Sequence, residues 1–224
     1  MARTRIKICG ITRMDDAKAA VAAGADAVGM IFHPASPRNI TIERAKEIVR
    51  AVGPFVTPVG VFVDALASKV MEVATELGLH TVQLHGQEPV ERIAQLRKQK
   101  LKIIKAVKVD ANLEKELEKW RSAMSLVGDM LAGIVLETGA TAVPGGSGVA
   151  NDWTRIKQLQ DKGAFTGLPP MIAAGGLDAR SVKDVVRNLR PWAVDVSSGV
   201  ESELGNKSAQ MIVEFVEAVK RADV

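Results

Sequence analysis

The chain alternates short β-branched runs with amphipathic helical stretches, and this repeat is its most constraining feature. Eight runs are predicted as strands, at residues 5–9, 27–32, 56–63, 81–84, 102–107, 133–136, 171–173 and 193–196. A helix between two strands returns the chain to start the next strand in the same direction, so this order requires a parallel sheet. Eight such units in 224 residues predict a closed (βα)8 (TIM) barrel. An open doubly wound sheet is the alternative, but no G-x-G-x-x-G follows the first strand.

Composition bounds the class of protein. With 47% hydrophobic and 25% charged residues, we expect a single barrel domain over residues 1–224. A single cysteine cannot form an intramolecular disulfide, and neither a signal-type stretch nor an apolar run of ~20 residues is present, so we expect a cytoplasmic protein without a membrane partner. The net charge of +4 is spread along the chain, aromatic residues make up 4% and tyrosine is absent. These features argue against nucleic acid and favour a small anionic substrate.

Several residues are predicted to mark helix ends. Asp15, Thr41 and Asp64 are of the types that cap helix N-termini, and each precedes a helical stretch. Gly24 and Gly78 follow helical stretches and predict C-terminal stops.

Cys9 ends the first predicted strand, where barrel enzymes place their catalytic groups. One interpretation is a buried structural thiol, because free cysteine packs like a small apolar residue. The alternative is a reactive thiol, since Lys7 lies on the same face of the strand and a nearby cation favours the thiolate.

Other strand ends carry further candidate groups. Arg38 follows the second strand, where it is either a surface ion-pair residue or a fork for a carboxylate. His85 ends the fourth strand and is interpreted as a rim histidine rather than an orienting group, whereas Glu137 places a carboxylate at the end of the sixth strand.

Glycine and serine in the last two loops predict a phosphate site, because small residues let backbone N–H groups approach an anion and this barrel type binds phosphate there. A short helix beginning near Gly199 would add its positive end, and the glycine loop at residues 144–148 could close over substrate or join the site. The candidate phosphate ligands are Gly146, Gly175, Gly176, Ser197, Ser198 and Gly199.

Seven segments together resemble the phosphoribosylanthranilate isomerase family of tryptophan biosynthesis. They are KICGIT at 7–12, SPR at 36–38, VGVFV at 59–63, QLHG at 83–86, GGSG at 145–148, AGGL at 174–177 and DVSSGVE at 195–201. The resemblance runs in unbroken order from residue 5 to about residue 203. It implies a barrel that converts N-(5-phosphoribosyl)anthranilate to 1-(2-carboxyphenylamino)-1-deoxyribulose 5-phosphate. This Amadori rearrangement needs no metal or organic cofactor.

The resemblance also implies residue roles. Cys9 takes the place of the general base, and Glu137 stands where the family has an aspartate as general acid, so its carboxyl lies one methylene farther from the backbone. Arg38 is expected to contact the anthranilate carboxylate, and the glycine and serine loops to hold the phosphate. Apart from the resemblance, strands one and eight are neighbours in a closed barrel and a buried carboxylate requires a partner, so Lys7 and Asp195 are expected to form an inward pair. This pair is either structural or supports a cationic Schiff base.

Two alternatives to this function remain at the level of sequence. An isomerase of the histidine pathway performs the same rearrangement on the same barrel, but it uses paired aspartates, and Cys9 argues against it. A non-catalytic phosphate-binding barrel is the other, with Glu137 marking lost activity. The sequence leaves open whether the protein is a monomer or a homodimer.

Overall fold

Eight parallel strands close into a barrel in a computed structural model that describes residues 3–138 and 152–223. Each strand pairs with the next along the chain, and the eighth pairs with the first. The strands are β1 Arg5–Ile8, β2 Ala27–Ile31, β3 Thr57–Phe62, β4 Thr81–Leu84, β5 Lys102–Val109, β6 Leu131–Thr138, β7 Met171–Ala173 and β8 Ala193–Val196. The predicted (βα)8 barrel is confirmed, and the open doubly wound sheet is excluded.

Eight α-helices in the described residues surround the barrel. They are α1 Met14–Ala23, α2 Ile42–Val52, α3 Ala67–Leu77, α4 Val90–Gln95, α5 Leu113–Val127, α6 Trp153–Asp161, α7 Val182–Leu189 and α8 Ala209–Ala222. Each long helix buries an apolar stripe against the strands. In α7, for example, the buried residues are Val182, Val185, Val186 and Leu189, which have the i, i+3, i+4, i+7 spacing of one helix face. No helix of the described chain is long and apolar enough to cross a membrane.

Three of the five predicted helix ends are confirmed. The Thr41 side chain caps α2, and Gly24 and Gly78 end α1 and α3 in the left-handed conformation with φ of 98° and 63°. The predictions for Asp15 and Asp64 are wrong. Asp15 lies inside the first turn of α1, and Asp64 is a loop residue with φ of 50° whose carboxylate accepts a hydrogen bond from a backbone N–H of the β4–α4 loop.

The seam between β1 and β8 closes the barrel and carries an internal ion pair. Lys7 stands directly opposite Asp195 in the strand register, and its Nζ lies 2.8 Å from Asp195 Oδ2. Both side chains are buried. The expected inward pair is therefore present, and it joins the strands that are farthest apart in sequence.

The loop after β8 contains a small hairpin that the sequence does not predict. A three-residue 3₁₀ helix, Ser198–Val200, leads into strands β9 Glu201–Glu203 and β10 Asn206–Lys207, which pair in antiparallel fashion. The hairpin lies at the carboxyl end of the barrel and brings two charged residues, Glu201 and Lys207, into the buried layer beside the loop.

Candidate active site

A cavity opens at the carboxyl end of the barrel, where the strand-end candidates meet. Every strand except β5 contributes to its wall through the strand itself or the loop that follows. The lining residues are Cys9, Ile31, His33, Val61, Val63, His85, Glu137, Ala174, Gly175, Gly176, Leu177, Asp195, Val196, Ser197 and Ser198. The cavity therefore combines an apolar wall with one thiol, two carboxyl groups, two imidazoles and two hydroxyls.

Cys9 is buried and lies beside the Lys7–Asp195 pair. Burial raises the pKa of the Cys9 thiol above its ordinary value, and the Lys7 ammonium, which lowers it, is opposed by the Asp195 carboxylate. Burial lowers the pKa of Lys7, but Asp195 and Cys9 together raise it above the ordinary value. Lys7 therefore stays charged. Its lowering of the Cys9 pKa is nevertheless smaller than the increase caused by burial and by Asp195. Cys9 is thus a thiol at neutral pH in these surroundings.

Gly29 of β2 provides the space that Cys9 occupies. A Cβ atom at Gly29 would lie 2.7 Å from Cys9 Sγ and 3.1 Å from Lys7 Nζ. Sequence reasoning missed this residue, although a glycine inside a strand often marks a close approach of this kind.

Glu137 contacts His85 rather than standing alone at the rim. One carboxylate oxygen, Oε2, forms a short hydrogen bond with His85 Nε2. On the other side of the imidazole, Nδ1 lies 2.6 Å from Gln83 Nε2. The longer side chain of glutamate thus reaches a histidine across β5, and the interpretation of His85 as an orienting group gains support.

The hydrogen-bonded side chains of Gln83, His85 and Glu137 permit two arrangements of their protons. If the Gln83 amide donates to Nδ1, the imidazole carries its proton on Nε2 and donates it to a Glu137 carboxylate. If the amide is rotated, so that its oxygen accepts from Nδ1–H, Nε2 accepts the proton of a Glu137 carboxylic acid. The second arrangement is the one in which Glu137 holds a proton that it can give away.

Arg38 lies outside the cavity wall and is bound to a carboxylate of the chain itself. Its Nε and Nη2 each lie 2.7 Å from an oxygen of Glu201. Glu201 also accepts from Lys207 Nζ at 2.7 Å, and Lys207 donates to the Ser197 carbonyl as well. All three charged side chains are buried, so this cluster leaves one uncompensated positive charge near Cys9 and Ser197.

The loops after β7 and β8 form a compact cradle. Gly175 and Gly176 have φ of 92° and 64°, which favours glycine at both positions. Gly199 packs so closely on the Leu177 carbonyl that a Cβ atom there would overlap it. The predicted helix near Gly199 is only the three-residue 3₁₀ turn, so backbone N–H groups and serine hydroxyls are the donors available to an anion. Gly146 and its loop lie outside the described residues.

Taken together, the site offers a thiol directly after β1 and a carboxyl group on β6, above a barrel interior closed by an ion pair. In residues 3–138 and 152–223, no three His, Cys, Asp or Glu side chains cluster in a way that could hold a metal ion. A thiol and a carboxyl group on separate walls are groups of the kind that remove and return a proton on one bound molecule. The fold and site define a (βα)8-barrel enzyme of proton-transfer chemistry.

Comparison with known proteins identifies the family. The family described as "N-(5'phosphoribosyl)anthranilate (PRA) isomerase" matches residues 6–218. The N-(5'-phosphoribosyl)anthranilate isomerase of Pseudomonas paraeruginosa is 42% identical, with 98% of this chain and 97% of that protein covered. The chain belongs to the phosphoribosylanthranilate isomerase family.

Solved structures of relatives share the barrel. Phosphoribosyl anthranilate isomerase in complex with reduced 1-(o-carboxyphenylamino)-1-deoxyribulose 5-phosphate matches with a TM-score of 0.80 and 36% identity, covering 97% of this chain and 99% of that one. A monomeric form of the dimeric enzyme from Thermotoga maritima matches with a TM-score of 0.79 and 34% identity, over the same shares of the two chains.

We predict that Gly29→Ala lowers turnover by about 10²-fold, because the new methyl group displaces Cys9 Sγ by the order of 1 Å from its position. Steady-state rates and the melting temperature, measured together, check this prediction. Gly133→Ala is the matched control, since the closest neighbour of its Cβ would be the flexible end of Ile172, at 3.0 Å. Equal rates for the two variants would show that Gly29 does not set the position of the thiol.

Proposed function

We propose that this chain catalyses the isomerisation of N-(5-phosphoribosyl)anthranilate to 1-(2-carboxyphenylamino)-1-deoxyribulose 5-phosphate, a step of tryptophan biosynthesis. The observation that carries the proposal is the cavity that Cys9 and Glu137 line together with the glycine and serine loops after β7 and β8. Membership of the isomerase family over residues 6–218 supports the same substrate.

The reaction needs one group that donates a proton and one group that accepts a proton. A proton given to the furanose ring oxygen breaks the C1–O bond, and the anthranilate nitrogen lone pair forms the Schiff base. A base then takes the C2 proton, the electrons move to give an enolamine, and tautomerisation gives the ketone. Glu137 is proposed as the acid and Cys9 as the base. One proton is supplied and one is removed, so the isomerisation balances without an oxidant or a cofactor.

The other candidate residues are assigned to binding. Gly175, Gly176, Ser197 and Ser198 are proposed to hold the phosphate through backbone N–H groups and hydroxyls, with Gly199 shaping the loop and Gly146 contributing from its own loop. The apolar wall suits the aromatic ring of the substrate.

Arg38 is proposed to bind the anthranilate carboxylate, although Glu201 already occupies Nε and Nη2 of its guanidinium. A substrate carboxylate would therefore use Nη1 or compete with Glu201. Asp195 and Lys7 are proposed to support the positive charge of the Schiff base. Asp195 lines the cavity, and its buried Oδ1 has no hydrogen-bond partner among the described residues.

The first test is a fluorescence assay that follows the loss of phosphoribosylanthranilate with purified wild type and Cys9→Ala. We expect turnover by wild type and a loss of ~10²- to 10⁴-fold in Cys9→Ala, the usual effect of removing a positioned base. Calorimetry with inorganic phosphate should show similar affinity for both proteins. Binding without turnover in wild type would favour a non-catalytic barrel, and near-normal turnover in Cys9→Ala would remove the thiol from the mechanism.

The pH profile of wild type provides a control on the same assignment. Because burial raises the pKa of Cys9, the thiolate fraction in the free enzyme still increases with pH above neutrality. The rising limb of kcat/KM, which reports the free enzyme, should therefore extend to more alkaline pH than an ordinary thiol would give. In Cys9→Ala this limb should be absent.

A separate prediction concerns Glu137. Glu137→Gln keeps the shape but cannot donate an acidic proton, so ring opening should fall by ~10²- to 10⁴-fold. Glu137→Asp retains the carboxyl group and should keep activity or raise it. Single-turnover rates at saturating substrate measure the chemical steps without product release. If Glu137→Gln reacts like wild type, another group supplies the proton, and Asp195 is the first to examine.

We also propose that the protein acts in the cytoplasm on a small phosphorylated substrate, without nucleic acid or membrane partners.

We propose in addition that the protein forms a homodimer. The amino end of the barrel carries Phe55, which is 96% exposed, beside a cavity of about 460 Å³ that Phe55 and Trp192 help to line. Apolar side chains exposed around a cavity are typical of a covered surface. A relative from Thermotoga maritima is described as dimeric, which supports a second copy as the partner.

Sedimentation over a range of concentrations tests this assembly. Phe55→Asp should shift the protein towards monomer, because a charge cannot be buried in an apolar contact without a partner. Leu204→Asp is the matched control, since Leu204 is 69% exposed in the hairpin at the opposite end of the barrel. A wild type that remains monomeric at every concentration would contradict the homodimer.

A further inference from the structure

A buried ion pair behind the active site has no place in the proposed chemistry. Lys105 of β5 and Glu88 of the β4–α4 loop lie 2.8 Å apart, and their side chains are only 4% and 1% exposed. Neither residue lines the catalytic cavity. Burial of two charges is costly, and apolar residues of similar volume often serve stability equally well. This pair therefore calls for an explanation beyond the stability of the fold.

The Lys105 ammonium binds the backbone on both sides of His85. Besides Glu88, its Nζ donates to the carbonyl of Leu84 at 3.3 Å and to the carbonyl of Gly86 at 2.7 Å. These are the residues immediately before and after His85.

The Glu88 carboxylate holds the same segment through its N–H groups. Its two oxygens accept from the Gly86 backbone N–H at 2.9 and 3.0 Å, and Oε1 also accepts from the Asp64 backbone N–H at 3.0 Å. The backbone N–H of His85 donates to the Phe62 carbonyl at 2.7 Å. The peptide groups around His85 are thus fixed by one cation, one anion and the neighbouring strand.

We propose that Lys105 and Glu88 are positioning residues that hold His85, and through it Glu137, in the geometry of the active site. The expected effect on turnover rests on the proposed function. The expected effect on the orientation of the His85 imidazole rests on the contacts alone. The imidazole links Gln83 to Glu137, so a shift of the 84–86 segment moves the hydrogen bond that orients the acid. An error of 1 Å in such a placement can cost ~10²-fold in rate.

The charge states support this arrangement. Burial alone would raise the pKa of Glu88, but the Lys105 ammonium and the backbone hydrogen bonds hold it below the ordinary value. Burial lowers the pKa of Lys105, and Glu88 offsets part of that effect. Glu88 is therefore fully ionised at neutral pH and acts as an acceptor of N–H groups only.

The test uses the double variant Lys105→Met/Glu88→Gln. Removing both charges avoids an unpaired buried ion, and the amide oxygen introduced by Glu88→Gln can still accept from the Gly86 N–H. What is lost is the ammonium that holds the two carbonyls beside His85. We expect kcat to fall by about 10²-fold with KM within about twofold of wild type, because the acid is misplaced while the phosphate loops are untouched.

Nitrogen NMR of the His85 imidazole provides a readout that needs no substrate. The signal is identified by its absence in His85→Gln, and in the double variant its Nδ1 and Nε2 shifts should change, because the hydrogen bonds to Gln83 and Glu137 change. If this double variant fails to fold, Lys105→Leu/Glu88→Gln, which also removes both charges and the ammonium, should show the same shift and the same kcat loss.

Lys46→Met/Glu76→Gln is the matched control. It removes an ion pair of the same chemistry, 2.7 Å long and 39% and 41% exposed, between α2 and α3 on the outside of the barrel, and it should leave kcat and the His85 signal unchanged. Unchanged imidazole shifts and an unchanged kcat in the folded double variant would overturn the proposal. An inactive wild type would overturn the proposed function, and the NMR comparison would then still decide the role of the pair.

Discussion

Closure of the barrel at the β1–β8 seam is the constraint on which the rest of the site depends. The register that places Lys7 opposite Asp195 also places Cys9 level with the loop after β8, because the Cys9 N–H donates to the Val196 carbonyl at 2.8 Å. A slip of one residue would turn every side chain of β1 to the other face. The ion pair can form only in the correct register, so it specifies the position of the thiol and the floor of the cavity together.

A buried cluster of charged side chains near Cys9 and Ser197 carries an excess positive charge. Arg38 and Lys207 share one carboxylate, that of Glu201, and this leaves an excess positive charge in a region from which water is largely excluded. Coulomb interactions are stronger in such a region than in water. The excess charge is held by a buried network and not by mobile surface lysines, so an anion that approaches it would not have to order long side chains.

Sequence patterns predicted the strands closely, because a buried strand of a parallel sheet is set by local β-branched runs. The same local reasoning failed for Asp15 and Asp64, since the type of residue indicates a cap but the surrounding loop decides where the helix begins. The contacts of Glu137 with His85 and of Lys105 with Glu88 could not be predicted, because each joins a strand to a loop after another strand and depends on side-chain reach. Gly29 was within reach of sequence reasoning, since a glycine inside a strand indicates a close approach.

The surroundings of Cys9 also have a consequence for synthesis of the chain. The thiol emerges from the ribosome well before Asp195, Val196 and Ser197, which line the same cavity in the folded barrel. Until β8 is made, β1 lacks one of its two partners and the thiol remains in water. The nascent chain therefore presents an ordinary cysteine to cellular oxidants. Completion of the barrel buries the thiol. Protection of the thiol is thus acquired only when the last strand is in place.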